Sequence, residues 1–256
     1  MPTMRHGAEE PLLPHLVGPV LDVGVPECRA LAVTTVSGSG TVDGSSRPLG
    51  NATDHHLLVA LRNWADVVLV GGRTAVAENY FGVRTDDTVA SRRRAGGQSP
   101  VAPVAVVTRT LDLDPTSQLF WNTFTPPLLL VPDAALTDAS LAERREQLKA
   151  AGAQLTPTGS GSAEEIVQAL HQRGLTRIVC EGGPGIYSLM FAAGLVDLLH
   201  LTVDPLLQVP VEKPLFAGDV AVRHRLQLEH HAATDDGTLS LRYRGVRRAC
   251  GAPGPP

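Results

Sequence analysis

Two apolar runs in this chain end in glycine turns that open helices. Val67-Val68-Leu69-Val70 runs into Gly71-Gly72-Arg73-Thr74, and Ile178-Val179-Cys180-Glu181 into Gly182-Gly183-Pro184-Gly185-Ile186-Tyr187. Apolar runs of this length, bounded by turn residues, read as strands buried on both faces, and such strands need helices packed on each side. Strand–turn–helix units of this kind build parallel sheets. A glycine turn at a helix start also lets backbone N–H groups approach an anion. Two such turns suggest helix ends converging on one pyrophosphate, which points toward a dinucleotide cofactor. Neither turn reads GxGxxG, so the ordinary dinucleotide fingerprint is absent. Taken singly, Gly71-Gly72-Arg73-Thr74 reads as a strand-to-helix corner without a ligand, and Glu181-Gly182-Gly183-Pro184-Gly185 is the stronger of the two signals.

The rest of the chain repeats the alternation. Arg29–Val36 reads as a strand broken by Ser37-Gly38-Ser39-Gly40, and Thr53-Asp54 as the cap of a helix with Leu57, Leu58, Leu61 and Trp64 on one face. Asp86 to Pro103, with Arg92-Arg93-Arg94 and Gly96-Gly97, reads as a solvated loop. Val104–Thr108 and Leu128–Val131 are short strands. Thr137-Asp138 opens a helix to about Ala151. Ser162 and Glu165 form a capping box for a helix that Gly174 stops, and Gly194 ends the helix that Ile186 begins. Leu198–Val203 is a strand, and Asp236-Gly237 joins Leu226–Glu229 to Leu239–Tyr243 as a hairpin. The expected architecture is α/β: a mostly parallel central sheet with an antiparallel C-terminal hairpin and helices on both faces. Residues 1–28, Pro-rich and non-periodic, read as an N-terminal arm, 29–247 as a single domain and 248–256 as a disordered tail.

Composition narrows the function classes. A net charge of −4 gives no basic field for nucleic acid or acidic membrane, and 4% aromatic residues provide no stacking platform for single strands. No apolar stretch approaches a membrane span and no signal pattern opens the chain, so a cytoplasmic location is expected. The three cysteines fit no zinc spacing, and His55-His56 and His230-His231 have no acidic third ligand at useful spacing, so no metal is expected.

Single residues near strand ends carry the candidate chemistry. Glu181 falls at the C-terminal end of its strand, where open α/β sheets place ligands. Thr74 can cap a helix or donate to a phosphate, and Arg73 adds positive charge. Thr108-Arg109 ends another strand, and Arg109 is either a 2′-phosphate ligand or a solvated loop residue. Glu78, one turn past Thr74, is either a proton carrier or an exposed helix glutamate. Arg84 can bind an anionic substrate group.

The order of these elements resembles a known family. Ala-Asp-Val-Val-Leu-Val-Gly-Gly-Arg-Thr (65–74), Glu-Asn-Tyr (78–80), Arg84, Glu-Gly-Gly-Pro (181–184) and Ala-Gly-Leu-Val-Asp-Leu-Leu-His-Leu-Thr (193–202) resemble the RibD C-terminal-domain family of riboflavin-pathway pyrimidine reductases, which share the dihydrofolate reductase fold. The resemblance runs from about Arg29 to Tyr243. It implies NADPH near Gly71, Gly72, Thr74, Gly182, Gly183, Gly185 and Ile186. It also implies hydride transfer to the ribose C1′ of 5-amino-6-(5-phosphoribosylamino)uracil. Glu181 and Glu78 fall on family carboxylates and Arg84 on an arginine that holds the substrate phosphate. The substrate side departs from the pattern: Thr35-Val36-Ser37-Gly38 replaces Ser-Leu-Asp-Gly, His55 replaces an arginine and Leu31 a lysine. Ser37 and His55 are therefore the substrate-side candidates. No HxE…PCxxC deaminase motif occurs, so a separate deaminase is expected, and a homodimer is implied. The departures keep other readings open: the same cofactor with a pterin, dihydrofolate or other carbonyl or imine substrate, or a non-catalytic NADPH-binding protein.

Overall fold

The structure, a computed structural model, describes residues 9–218 and 223–245. Helix α1 (Glu9–Val17) precedes strand β1 (Glu27–Thr35), α2 (Ala52–Trp64), β2 (Val67–Gly71), α3 (Gly72–Ala77), α4 (Asp87–Ala95) and β3 (Val104–Val107). Then come α5 (Gln118–Trp121), β4 (Leu128–Val131), α6 (Asp133–Thr137), a 3₁₀ turn (Ala139–Leu141), α7 (Ala142–Ala150) and β5 (Gln154–Pro157). The last are α8 (Ala163–His171), β6 (Arg177–Cys180), α9 (Pro184–Ala192), β7 (Leu198–Asp204), β8 (Leu226–Ala233) and β9 (Leu239–Gly245).

The strands form one sheet in the order β5-β4-β3-β2-β6-β1-β7-β9-β8. Pairing is parallel from β5 to β7 and antiparallel from β7 through β9 to β8. β6 inserts between β1 and β2, so the two glycine turns leave neighbouring central strands at the same edge.

The continuous apolar strands feed two cores. Along β2, Val68 and Val70 pack with Leu57, Leu61 and Trp64 of α2 on one face. Val67 and Leu69 pack with Ile166 and Leu170 of α8 and Met190 of α9 on the other. Alternate side chains of a strand point to opposite faces, so an unbroken apolar run is what two helix-covered faces require.

Several local expectations are corrected. Residues 9–17 are helical, and Leu16, 3% exposed, packs against the core beneath α2. Pro11 lies in the first turn, where no intrahelical N–H bond is lost, while Pro14 lies inside the helix and forgoes one. Asp87–Ala95 is a helix, not a loop. Asp86 caps it by accepting from the Val89 N–H at 2.7 Å, and Arg92, Arg93 and Arg94 fall in its last turn, where positive charge suits the helix dipole. Arg93 is not solvated: it is 3% exposed and donates to the carbonyls of Asn63, Ala65 and Ser99. The α2 cap is Asn51, whose side chain accepts from the Asp54 N–H. The helix expected to open at Thr137-Asp138 is divided, with Asp138 capping the 3₁₀ turn before α7. The Ser162–Glu165 capping box forms as expected. Strand β5 went unread because Gln-Leu-Thr-Pro at a sheet edge lacks an apolar run. The expected tail, 248–256, lies outside the described residues.

Candidate active site

The two glycine turns touch. Beyond the regular β2–β6 ladder, the Glu181 N–H donates to the Leu69 carbonyl at 2.9 Å and the Gly71 N–H to the Gly182 carbonyl at 2.7 Å. The Gly183 N–H then donates to Thr74 Oγ1 at 3.0 Å. Gly182 has φ +77°, and a Cβ on Gly183 would stand 2.4 Å from Thr74 Oγ1, so neither position accepts a side chain without displacement. Part of the glycine requirement is therefore the junction itself. Ile186 closes it from behind, with Cγ1 2.9 Å from where a Cβ on Gly71 would lie.

A positive strip borders this junction. A Cβ on Gly72 would lie 3.4 Å from Thr108, and one on Gly185 4.0 Å from Arg73 Nη2. Thr108 is buried and accepts from the Leu111 N–H at 3.0 Å. Arg73 and Arg109 are exposed and have no hydrogen bond or ion pair among the described residues. Unpaired guanidinium groups beside two helix starts form an anion-attracting surface.

A cleft of ≈ 590 Å³ opens on the other side of the junction. Thr74, Glu78, Gly183 and Glu181 line it together with His55, so these five sequence-derived candidates share one cavity. Leu31 of β1, Leu58 of α2 and Tyr187 of α9 supply apolar wall, and Arg47 and Lys213 add positive charge. Asp54, Leu58 and Arg62 recur at i, i+4 and i+8 on α2, which puts them on one helix face toward the cleft.

Glu181 is not a free carboxyl. Arg62 grips both its oxygens, Nε to Oε1 and Nη2 to Oε2 at 2.7 Å each, and Tyr80 Oη donates to Oε2 at 2.7 Å. Burial, the largest influence on Arg62, lowers its pKa, but attraction and hydrogen bonding to Glu181 outweigh it and the net shift is upward. Burial first, and the Glu181 charge next, push the Tyr80 hydroxyl well above its usual value, so Tyr80 stays a donor. Glu78 is also occupied. Its Oε2 accepts from Ser45 Oγ and its Oε1 from the Ser46 N–H, both at 2.7 Å, which pins the 45–47 turn to the end of α3.

Two candidates fall elsewhere. Arg84 does not line the cleft; its guanidinium donates to Asn122 and lies 4.9 Å from the Phe124 ring and 5.7 Å from that of Phe81. Gly82 packs directly on Thr123 and draws this segment toward residues 122–124. Ser37 Oγ is taken up by Thr35 Oγ1 at 2.8 Å and the Gln208 N–H at 3.1 Å, outside the cleft lining. The sequence reading missed Arg62, Tyr80 and Asp54. The i, i+4, i+8 spacing on α2 marks two of them once that face is known to meet the sheet edge. Among the described residues no cluster of three metal-ligating side chains occurs, and no helix is long and apolar enough to cross a membrane.

The model of the RibD C-terminal domain matches residues 32–240. The crystal structure of a pyrimidine reductase-like protein from Corynebacterium diphtheriae is 32% identical, with a TM-score of 0.82 over 92% of this chain and 99% of that one. Acinetobacter baumannii RibD, at 17% identity and a TM-score of 0.68, aligns with 87% of this chain, which spans 59% of that protein. The Saccharomyces cerevisiae riboflavin biosynthesis reductase Rib7 shares the fold at 12% identity and a TM-score of 0.63, over 93% of this chain and 98% of that one. No match is found among curated proteins. With four-fifths of its length matched and its sheet order and cleft in place, the chain belongs to the RibD C-terminal domain family and has the dihydrofolate reductase-like fold of that family.

Proposed function

We propose that the chain is an NADPH-dependent reductase of the riboflavin-pathway type. The observation that carries this reading is the contact between the two glycine turns, with an anion-attracting strip on one side and the cleft on the other. The residues fit a dinucleotide. Arg73 and the starts of α3 and α9 would meet the diphosphate, Thr108 and Arg109 the adenosine phosphate, and Thr74 and Gly183 would border the nicotinamide end. When bound, the cofactor supplies a hydride to an electrophilic carbon, here the ribose C1′ of 5-amino-6-(5-phosphoribosylamino)uracil. This chain's contribution is mainly orientation of the reactants in the cleft.

Glu181 acts as a positioning residue. Its two oxygens hold Arg62 and Tyr80 in one arrangement at the cleft wall, where the Arg62 charge orients polar groups of the ring. Glu78 fixes the 45–47 turn that carries Arg47. With Arg84 turned to Asn122, the substrate phosphate falls to Arg47, Lys213 and His55, which line the cleft. The same reading carries a cytoplasmic homodimer paired through β8, the outer strand of the sheet, served by a separate deaminase.

A second substrate reading, a pterin or dihydrofolate with the same cofactor, is favoured by one observation: the arginine expected to grip a phosphate is outside the cleft. NADPH binding followed by fluorescence, and NADPH oxidation against ribosylamino-pyrimidine phosphates, pterins and dihydrofolate, test both. Micromolar NADPH binding with turnover of the phosphoribosyl compound supports the first reading, and turnover of only the pterins the second. Binding without turnover leaves a nucleotide-binding protein, and no binding overturns the proposal.

A further inference from the structure

The connection from β1 to α2 supplies part of the cleft wall through Gly40, Thr41, Ser46 and Arg47. Its middle holds no helix or strand, so its shape depends on groups from other elements. Two carboxylates provide them. Glu78 accepts from Ser45 and Ser46 on the cleft side. Glu212 grips the other half of the turn. Its Oε1 accepts from the Asp43 N–H at 2.9 Å, and its Oε2 from the Gly44 N–H at 3.1 Å and Thr41 Oγ1 at 3.0 Å. Gln208 Nε2 donates to Oε1 at 2.8 Å.

The backbone explains why a carboxylate sits there. Asp43 and Gly44 have φ of +51° and +81°, and Val42 and Ser45 close the turn with hydrogen bonds of 2.8 and 3.1 Å. Successive N–H groups in such a turn form a concavity that takes an anion. Here the anion is the Glu212 side chain. The Gly44 N–H first, and the Asp43 N–H next, hold its carboxyl below the usual carboxylate range, so it stays charged.

Glu212 is exposed and does not line the cleft, but Lys213 beside it does. The Lys213 ammonium has no hydrogen bond or ion pair among the described residues, because the adjacent carboxylate is committed to the turn. The same block of chain carries both cleft cations. The Gly40 N–H donates to the Lys213 carbonyl at 2.7 Å, and the Glu212 N–H to Ser39 Oγ at 3.2 Å. Arg47 directly follows the gripped turn, and its Nη2 donates to the Glu78 carbonyl at 2.6 Å.

We infer that Glu212 is a positioning residue for the substrate phosphate: seated in the 43–44 turn, it sets Arg47 and Lys213 relative to each other without touching the ligand. Long cationic side chains on an unrestrained loop lose freedom when they bind, and a loop ordered beforehand reduces that loss.

The inference rests on the cleft being the substrate pocket of the proposed reductase, and calorimetric binding without NADPH separates the two. The probes are 5-amino-6-(5-phosphoribosylamino)uracil and its dephosphorylated form. The wild-type protein should bind the phosphorylated probe about tenfold or more tighter, the size expected for one charge-assisted contact. Glu212→Ala should bring that ratio to within about threefold, while affinity for the dephosphorylated probe and for NADPH stays within about twofold. A merely structural defect would weaken all three. Combined with Lys213→Ala, the loss should be smaller than the product of the two single losses, because the carboxylate acts through the lysine. Hydrogen exchange over residues 41–47 should be about tenfold faster in Glu212→Ala. Glu212→Gln, which keeps the shape and removes the charge, should reduce the ratio about threefold and serves if the alanine variant does not fold. A wild-type protein without preference for the phosphorylated probe, a preference intact in the variants, or losses that multiply would overturn the inference. A Glu212-dependent preference in a protein that oxidises no NADPH would uphold it while rejecting the proposed reaction.

Discussion

The two ends of the parallel strands use arginine in opposite ways. At the carboxyl end, Arg73 and Arg109 are exposed and unpaired beside the glycine junction. At the amino end, arginines are buried on backbone carbonyls. Arg29, 0% exposed, donates to Val17 O at 2.7 Å and Pro19 O at 2.6 Å, pairs with Glu27 at 2.9 Å and lies 4.3 Å from the centre of a Trp64 ring. Arg177 reaches Leu21 O, Arg242 the carbonyls of His15 and Leu16 in the last turn of α1, and Arg93 those of Asn63 and Ala65 where α2 ends. Carbonyls at helix C-termini lack intrahelical donors, and these side chains supply them. One end is closed by guanidinium groups bound to backbone carbonyls and the other left receptive, and the difference lies in what surrounds each guanidinium rather than in residue type.

The largest effect should come from opening the closed end. Arg29→Met strands Glu27 in the interior and frees the 17–19 carbonyls, so urea denaturation should show a loss of about 3–5 kcal/mol, the usual result of removing one partner of a buried pair. NADPH affinity per folded molecule should not change.

At the receptive end, Glu181→Gln loosens Arg62 and Tyr80. Steady-state kinetics should show kcat reduced about 100-fold, equivalent to about 2.7 kcal/mol, with the NADPH Kd from fluorescence titration little altered. Equal, large losses in both would reject its positioning role.

His200 sharpens the comparison through pH. Burial above all, then the charges of Arg29 and Arg242, lowers its pKa from 6.5 to about 3. The unfolded chain takes up a proton below pH 6.5 while the folded chain resists until about 3, so this contribution is complete above 6.5 and declines as pH falls toward 3. Between pH 6.5 and 5 the loss should be about 2 kcal/mol. Chemical denaturation at several pH values should show it in the wild type and a flatter profile in His200→Asn.

Arg73→Ala should weaken NADPH binding about tenfold, in line with loss of a charge-assisted contact, with stability changed by less than about 0.5 kcal/mol. The smallest effect belongs to Arg84→Ala, with KM for a phosphorylated substrate within about twofold, since surface contacts of this kind contribute little. A tenfold rise in KM would return Arg84 to the substrate.

The parts of the site that were legible in the sequence depend on local backbone chemistry. Apolar runs ending in Gly71-Gly72 and Gly182-Gly183 mark strand ends, and Ser162 with Glu165 marks a helix start, because turns and caps are determined by residues a few positions apart. Arg84 and Ser37 stand close to the site along the chain, but their side chains meet Asn122 and Thr35 outside the cleft lining, which no local pattern reveals. Arg62 went unread because an arginine on a helix is ordinary until a carboxylate 119 residues away meets it. The loop expected at 86–103 failed for a related reason: Arg93 looks solvent-bound until the carbonyls of α2 are brought beneath it.

The sequence by itself determined the alternation of buried strands and helices, and therefore an α/β sheet, since periodicity and turn chemistry are local properties of the chain. Only the tertiary structure decided which charges are spent and which are available. Pairing between Glu181 and Arg62, between Asp54 and Thr202, and between Arg29 and the 17–19 carbonyls depends on β6 and β7 flanking β1. Whether a buried charge is satisfied is fixed by neighbours in space, and a one-dimensional pattern does not contain them.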